Sequence, residues 1–196
     1  GNYDHYTFLH ETGHALGLKH GHETQGFGAL PAATDSMEYS VMTYRSFVGS
    51  DARYVYNETW GYAQTYMMYD IAALQHMYGA DFGTNAGDTT YSWRPDSGTT
   101  FIDSVAAITP GANRIFATIW DGNGTDTYDL SAYGTAVSID LAPGGYSLFS
   151  AAQTANLGGG PNNGHARGNI FNALRHQGDA RSLIENAIGG SGADTI

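Results

Sequence analysis

One stretch constrains this 196-residue chain more than any other: His10-Glu11-Thr12-Gly13-His14-Ala15-Leu16-Gly17-Leu18-Lys19-His20. On a helix turning about 100° per residue, His10 and His14 lie about 40° apart and one turn above each other, so both imidazoles reach a single metal ion. Glu11 falls about 60° round from His14, beside such an ion rather than on it, where a general base has to stand. A continuous helix would carry His20 about 9 Å past His14 along the axis and about 80° away from His10. The helix must therefore end first. Gly17 enters the left-handed conformation without penalty, closes the helix and turns the chain back so that His20 joins the other two. Three neutral imidazoles leave a fourth position open to water, the arrangement of a catalytic rather than a structural zinc site.

The surrounding pattern predicts an α+β chain. Phe8 to Leu16 reads as a helix with Asp4 as its N-cap, pinned to a core by Phe8, Thr12, Ala15 and Leu16, with Leu9 at the edge and the metal ligands on the opposite side. A second helix is expected from Thr65 to Tyr78, with Met67, Met68, Ile71, Leu74 and Tyr78 at helical spacing and Gly79 ending it. Residues 21–63 between them read as loop and turn. After Gly79 the period changes to short alternating runs at Arg114–Trp120, Ala136–Leu141 and Arg181–Ile188, broken by Gly, Asn and Asp clusters. The boundary falls near residues 80–90, giving a helical part over 1–83 and a β-rich part over 84–196. Gly122–Tyr128 and Gly190–Ile196 share the spacing G-x-G-x-D-x-(large apolar). Gly189 completes the second as a calcium-binding β-roll turn.

Charge and composition narrow the chemistry. Eight Lys+Arg against 19 Asp+Glu give a net charge of −11, which argues against nucleic acid or an anionic membrane as partner and suits a cation-binding protein. Clustered carboxylates repel one another unless a cation compensates. No cysteine is present, so any transition metal must be held by His, carboxylate or Tyr oxygen. The longest apolar runs are four residues, such as Ile71 to Leu74, too short for a membrane-spanning helix. Gly1-Asn2-Tyr3-Asp4 shows neither the basic nor the apolar region of a signal peptide. His5, His22, His76, His165 and His176 have no ligand spacing. Asp70, in the second helix, either ties that helix to the metal region or makes an ordinary polar contact.

At every fixed position the His10–His20 stretch matches H-E-x-x-H-x-x-G-x-x-H, and the chain thereby resembles the metzincin zinc endopeptidases. Ser40-Val41-Met42-Thr43-Tyr44 looks like their Met turn. The resemblance implies that Met42 packs beneath the zinc, and that the Tyr44 phenolate binds zinc and swings away to stabilise the transition state. Within that clan the chain is similar to the serralysins, which carry a calcium-binding β-roll after the catalytic domain. Gly189–Ile196 reads as the first turn of the roll, Trp120–Ser131 as the family's earlier calcium loop, Ile184–Ile188 as the strand leading into the roll, and Tyr69–Gly79 as the helix after the Met turn. By that resemblance Asp121, Asn123, Gly124 and Asp126 form one calcium site, the Asn and Gly through backbone oxygens. Glu185, Gly190, Gly192 and Asp194 belong to a neighbouring site or sites. Gly21 stands where serralysins usually have Pro, and Thr99 and Thr100 where many place Arg and Asp.

The resemblance implies a secreted, extracellular zinc metalloendopeptidase with catalytic Zn²⁺ and structural Ca²⁺. It would act on proteins or peptides and have a proteinaceous inhibitor among its partners. Export would follow the bacterial type I route through a C-terminal signal that this chain does not contain. Residues 1–83 then correspond to the C-terminal part of a metzincin catalytic domain, whose N-terminal subdomain is missing here, since only nine residues precede His10. Two rivals stand beside this reading: a calcium-dependent β-roll binding or adhesion module with a degenerate peptidase remnant, and a zinc-binding structural protein. An intact Glu11 and Tyr44 weigh against the first, and the open fourth position against the second.

Overall fold

Asn2, not Asp4, opens the first helix. Its side chain accepts a hydrogen bond from the His5 amide at 2.9 Å, and α1 runs Tyr3–Ala15 in the computed structural model, which describes residues 1–196. Asp4 instead sits in the first turn, where a carboxylate favours the positive end of the helix dipole. The buried face of α1 is also not the expected one. Phe8 is 68% exposed, Ala15 and Leu16 face solvent, and the buried positions are Tyr6, His10 and Gly13. That i, i+4, i+7 set is as helical as the expected stripe but rotated away from it. Tyr6 and His10 can go inside because their polar atoms find carbonyls there, Tyr6 on Thr43 (2.8 Å) and His10 on Val41 (2.8 Å).

The second helix, α2, spans Met68–Tyr78, three residues shorter at its start than the pattern suggested, and Gly79 closes it at φ 86°. Asp70 explains the later start. Its carboxylate accepts the Met67 amide at 2.9 Å and so caps the helix from within its first turn. Between the helices the chain is turn and loop.

The β-rich part builds two sheets. Strands β1 (Thr90–Arg94), β2 (Ser97–Ile102) and β3 (Val105–Ile108) form an antiparallel meander, joined on the β1 side by the parallel strands β5 (Thr127–Asp129) and β8 (Asn186–Ile188) in the order β3-β2-β1-β5-β8. The other sheet has β4 (Ala117–Ile119), β7 (Ile170–Asn172) and β6 (Tyr146–Ser147), in the order β4-β7-β6. Of the expected runs, Arg114–Trp120 contains β4. Ala136–Leu141 forms no ladder, only bridges from Ser138 to Leu148 and Thr195. Arg181–Ile188 begins in a short 3₁₀ turn (Ala180–Ser182) and becomes strand only at Asn186.

The hydrophobic interior has two centres. One gathers Tyr6, Val41, Met42, Met67 and Met68 with Phe116, Leu157 and Phe171 from beyond residue 84. The other, between the sheets, packs the aromatic rings of Tyr91, Trp93, Tyr128, Tyr133 and Phe149 among aliphatic side chains such as Ile115, Leu130, Ile139 and Ile170. The helical part is thus seated on the β-rich part by a shared core, which fixes α1 and the Val41–Met42 turn against each other. No helix is long and apolar enough to cross a membrane.

Candidate metal centre and acidic cluster

α1 ends as its sequence requires. The Gly17 amide donates to His14 O and the Leu18 amide to Gly13 O, both at 2.9 Å, with Gly17 at φ 95°. This Schellman arrangement reverses the chain within one turn and returns His20 to the helix face. All three imidazoles are anchored on the side away from their meeting point. His10 Nδ1 lies 2.8 Å from Val41 O, His14 Nδ1 2.9 Å from Leu18 O, and His20 Nδ1 3.0 Å from Glu23 Oε1. Each partner is an acceptor, so each Nδ1 carries the hydrogen and each Nε2 presents a lone pair.

Those lone pairs face one another. His14 Nε2 stands 3.2 Å from His10 Nε2 and 3.0 Å from His20 Nε2, and the three ligand atoms lie within 4.8 Å of one another. Tetrahedral bonds of about 2.0–2.1 Å to one zinc ion would set neighbouring nitrogens about 3.3 Å apart. Three converging lone pairs repel without a cation, and the donor set fits a metal ion. Burial holds the His10 pKa below the ordinary imidazole value, which favours the neutral, ligating form. The hydrogen bond from His20 in turn keeps the Glu23 carboxyl below the usual carboxylate range.

Other residues shape the surroundings. Met42 is 2% exposed and packs under the helix. A Cβ on Gly13 would meet Met42 Sδ at 2.5 Å, so the small residue lets the turn approach α1 between His10 and His14. Tyr44 has its ring 5.7 Å from that of His10 and 4.6 Å from that of His20. His22 stacks on His20 at 5.3 Å without joining the convergent set. Glu11 is exposed and lines, with His10 and Tyr44, a cleft of about 330 Å³ whose other walls include Tyr6, Arg53, Tyr54 and Val55. His5, His165 and His176 lie elsewhere: His5 Nε2 is 3.0 Å from Gln64 O, His165 meets Thr154 and His176 meets Phe82.

Asp70 resolves the alternative left open by the sequence. Fully buried on α2, it accepts the Ser40 hydroxyl at 2.6 Å on Oδ1, and the Val41 (2.7 Å) and Met67 (2.9 Å) amides on Oδ2. The same Val41 holds His10 through its carbonyl, so α2 and His10 are linked through one residue. Burial outweighs these donors and pushes the Asp70 pKa up to about 6.

The acidic residues divide differently from the sequence grouping. Asp121 and Asp126 are buried together: Asp121 Oδ2 accepts the Tyr91 hydroxyl (2.7 Å), Asp126 Oδ1 accepts the Thr89 amide (2.9 Å), and Asp126 Oδ2 has no hydrogen-bond partner. Burial, with the neighbouring Asp121 charge, raises Asp126 to about 7, and burial raises Asp121 as well. Glu185, grouped by the sequence with the last turn, reaches this pair: its Oε2 accepts the Asp126 amide at 2.8 Å. Gly124, at φ 133°, presses against the Gly87 carbonyl, leaving no room for a side chain, and Asn123 donates its amide to Asp121 at 3.0 Å. Gly190, Gly192 and Asp194 lie against the segment 130–137, with Asp194 accepting the Val137 amide at 3.0 Å. Thr99 and Thr100 are in β2, where Thr100 accepts the Trp93 indole. The segment that meets the carboxylates is 87–89, which sequence reasoning passed over although its Gly87-Asp88-Thr89 carries the same turn chemistry.

The family described as Peptidase M10 serralysin C terminal matches residues 80–196. Metallopeptidase AprA of Pseudomonas marginalis is 33% identical over 201 residues, covering 100% of this chain and 37% of the relative. Serralysin C of Dickeya chrysanthemi is 34% identical over 202 residues (99% and 36%), and serralysin of Proteus mirabilis 33% over 202 residues (100% and 35%). The chain spans little more than a third of the length of these relatives.

Proposed function

Since the chain belongs to the serralysin family of metallopeptidases, we propose that it carries the metal centre of a secreted zinc-dependent endopeptidase, with His10, His14 and His20 as the zinc ligands. The observation that carries this reading is the convergence of three Nε2 atoms whose Nδ1 partners are all acceptors. Zinc held there would supply a Lewis acid that makes a water acidic enough to lose its proton near neutral pH. Glu11, on the cleft wall beside the ligands, would accept that proton as the water attacks the scissile carbonyl and deliver it to the departing amine. The Tyr44 phenol, next to His10 and His20, would ligate in the resting state and donate to the oxyanion in the transition state. Met42 would form the floor, and Gly17 the turn that makes the third ligand available. The zinc helix, the Met42 turn and α2 would correspond to the C-terminal part of a metzincin catalytic domain. The substrate would be an extended protein or peptide segment, and a proteinaceous inhibitor would compete for the same cleft.

Asp121, Asp126 and Glu185, with backbone oxygens of the Asn123–Gly124 turn, would hold structural Ca²⁺. The buried, unpartnered Asp126 Oδ2 supports this, because an ionised oxygen there needs a cation. Gly190, Gly192 and Asp194 would contribute to a second site against residues 130–137.

A second reading is favoured by where the family description matches, on the β-rich residues 80–196 and not on the His10–His20 stretch. On that reading the protein is a calcium-dependent β-roll binding module that retains a peptidase remnant. Zinc content and cleavage of an unstructured protein such as casein, by full-length wild type and Glu11→Ala, separate the two. The peptidase reading expects cleavage by wild type and none by Glu11→Ala, with zinc retained in both. Calcium binding without zinc uptake or cleavage supports the binding module.

A further inference from the structure

His20 is held differently from the other two imidazoles. His10 and His14 rest on backbone carbonyls of turns that are themselves tied to the helices, Val41 through its amide on Asp70 and Leu18 through its amide on Gly13 O, whereas the Nδ1 partner of His20 is the side-chain carboxylate of Glu23 on an irregular loop. Residues 24–29 of that loop make no backbone–backbone hydrogen bond. The loop is closed only at its neck, where the Leu30 amide donates to Gly21 O at 2.7 Å. A free loop of this kind could not fix a carboxylate on an imidazole. Lys19, the only lysine of the chain, supplies what is missing. Its Nζ donates to Glu23 O (2.5 Å), Gln25 O (2.8 Å) and Gly28 O (2.6 Å). An ammonium has three donors, and all three are used on main-chain carbonyls of this one loop. Gly26 and Gly28, at φ 66° and 83°, let the chain curl around the ammonium.

We infer that Lys19 is a positioning residue for the metal centre. Its ammonium organises residues 23–28 so that the Glu23 carboxylate stays on His20 Nδ1 and aims Nε2 at the other two ligands. This inference rests on the zinc reading above. It makes a prediction opposite in sign to simple electrostatics. Removing a positive charge one residue from a ligand should, by Coulomb attraction alone, tighten cation binding. Loss of positioning should instead weaken it, in the 10- to 100-fold range typical when the hydrogen-bond partner of a metal-ligating histidine is removed.

The test is zinc affinity, measured at constant pH by competition with a chromophoric chelator, on full-length wild type, Lys19→Met, Glu23→Ala (which removes the acceptor for His20 Nδ1) and the double variant. Thermal melts in chelator serve as the check on folding. The expected result is a 10- to 100-fold weakening in each single variant, with the double variant no weaker than the worse single, because both act through the same hydrogen bond. The visible spectrum of the Co²⁺-loaded protein should change in the same way in both single variants. Unchanged or tighter binding by Lys19→Met overturns the inference, as do losses that multiply in the double variant. Wild-type protein that takes up no zinc overturns the metal-centre reading itself, and the inference with it.

Discussion

Replacing Asp70 by Ala should damage both the fold and the metal centre, although Asp70 touches no metal ligand. The substitution removes the acceptor for the Val41 and Met67 amides, which belong to residues with no exposure, and for the Ser40 hydroxyl, which can rotate to another partner. Two buried amides left unpaired cost about 1–3 kcal/mol each, so the loss should be about 2–6 kcal/mol. Asp70→Asn is the informative contrast. Both amides use the same oxygen, Oδ2, so the carboxamide oxygen can serve both, while its NH₂ donates to Ser40 Oγ. Asn also cannot ionise. The folded-state pKa of Asp70, about 6, lies above the 3.8 of an unperturbed carboxyl, so its stabilising contribution is complete below about 3.8 and is lost as pH rises through about 6. Relative to wild type, Asp70→Asn should therefore gain about 2 kcal/mol between pH 4 and pH 7. Urea unfolding of the three proteins at both pH values measures these differences. The argument fails if Asp70→Asn is as damaging as Asp70→Ala at pH 7, or if Asp70→Ala lies within 1 kcal/mol of wild type.

Gly13→Ala gains about 1 kcal/mol of helix propensity but forces a methyl against Met42 Sδ, an overpacking of about 1–3 kcal/mol, so urea unfolding should show net destabilisation; a stabilised variant would show that the Met42 turn is loose. Tyr44→Phe should retain zinc and lower kcat more than it raises KM, while an unchanged kcat would make Tyr44 structural. With its pKa at about 7, the ionisation of Asp126 removes stability from the calcium-free fold as pH rises from about 3.8 through 7. Calcium competes with that proton, so the rise in Tm on adding calcium should be larger at pH 8 than at pH 5.5; an equal rise at both would remove Asp126 from the site.

The sequence made the cluster of three imidazoles legible because its logic is local: a helical period, a glycine break and a returning histidine within eleven residues. What it could not reveal depends on distant partners. The face of α1 that goes inside was misplaced because Phe8 and Leu16 are apolar yet exposed, while Tyr6 and His10 are buried by carbonyls of a turn more than thirty residues away. The β1–β3 meander was hidden by its turn, in which Asp103 and Ser104 take φ of 49° and 69° without the glycine that usually announces a mirror-image turn. The glycine and aspartate spacing of 122–128 marked a turn, but the segment closing it from the other side, 87–89, reaches Asp126 across 37 residues. Lys19 read as one charge at the end of a motif, and its three carbonyl partners exist only once the loop has folded back.

The central claim is that three imidazoles share one metal ion, and X-ray absorption at the zinc edge tests it most directly. Protein loaded with one equivalent of zinc should show three nitrogen ligands of imidazole type at about 2.0–2.1 Å, completed by oxygen, and His20→Ala should lose one of them. A first shell dominated by carboxylate oxygen, or a spectrum that His20→Ala leaves unaltered, would contradict the account.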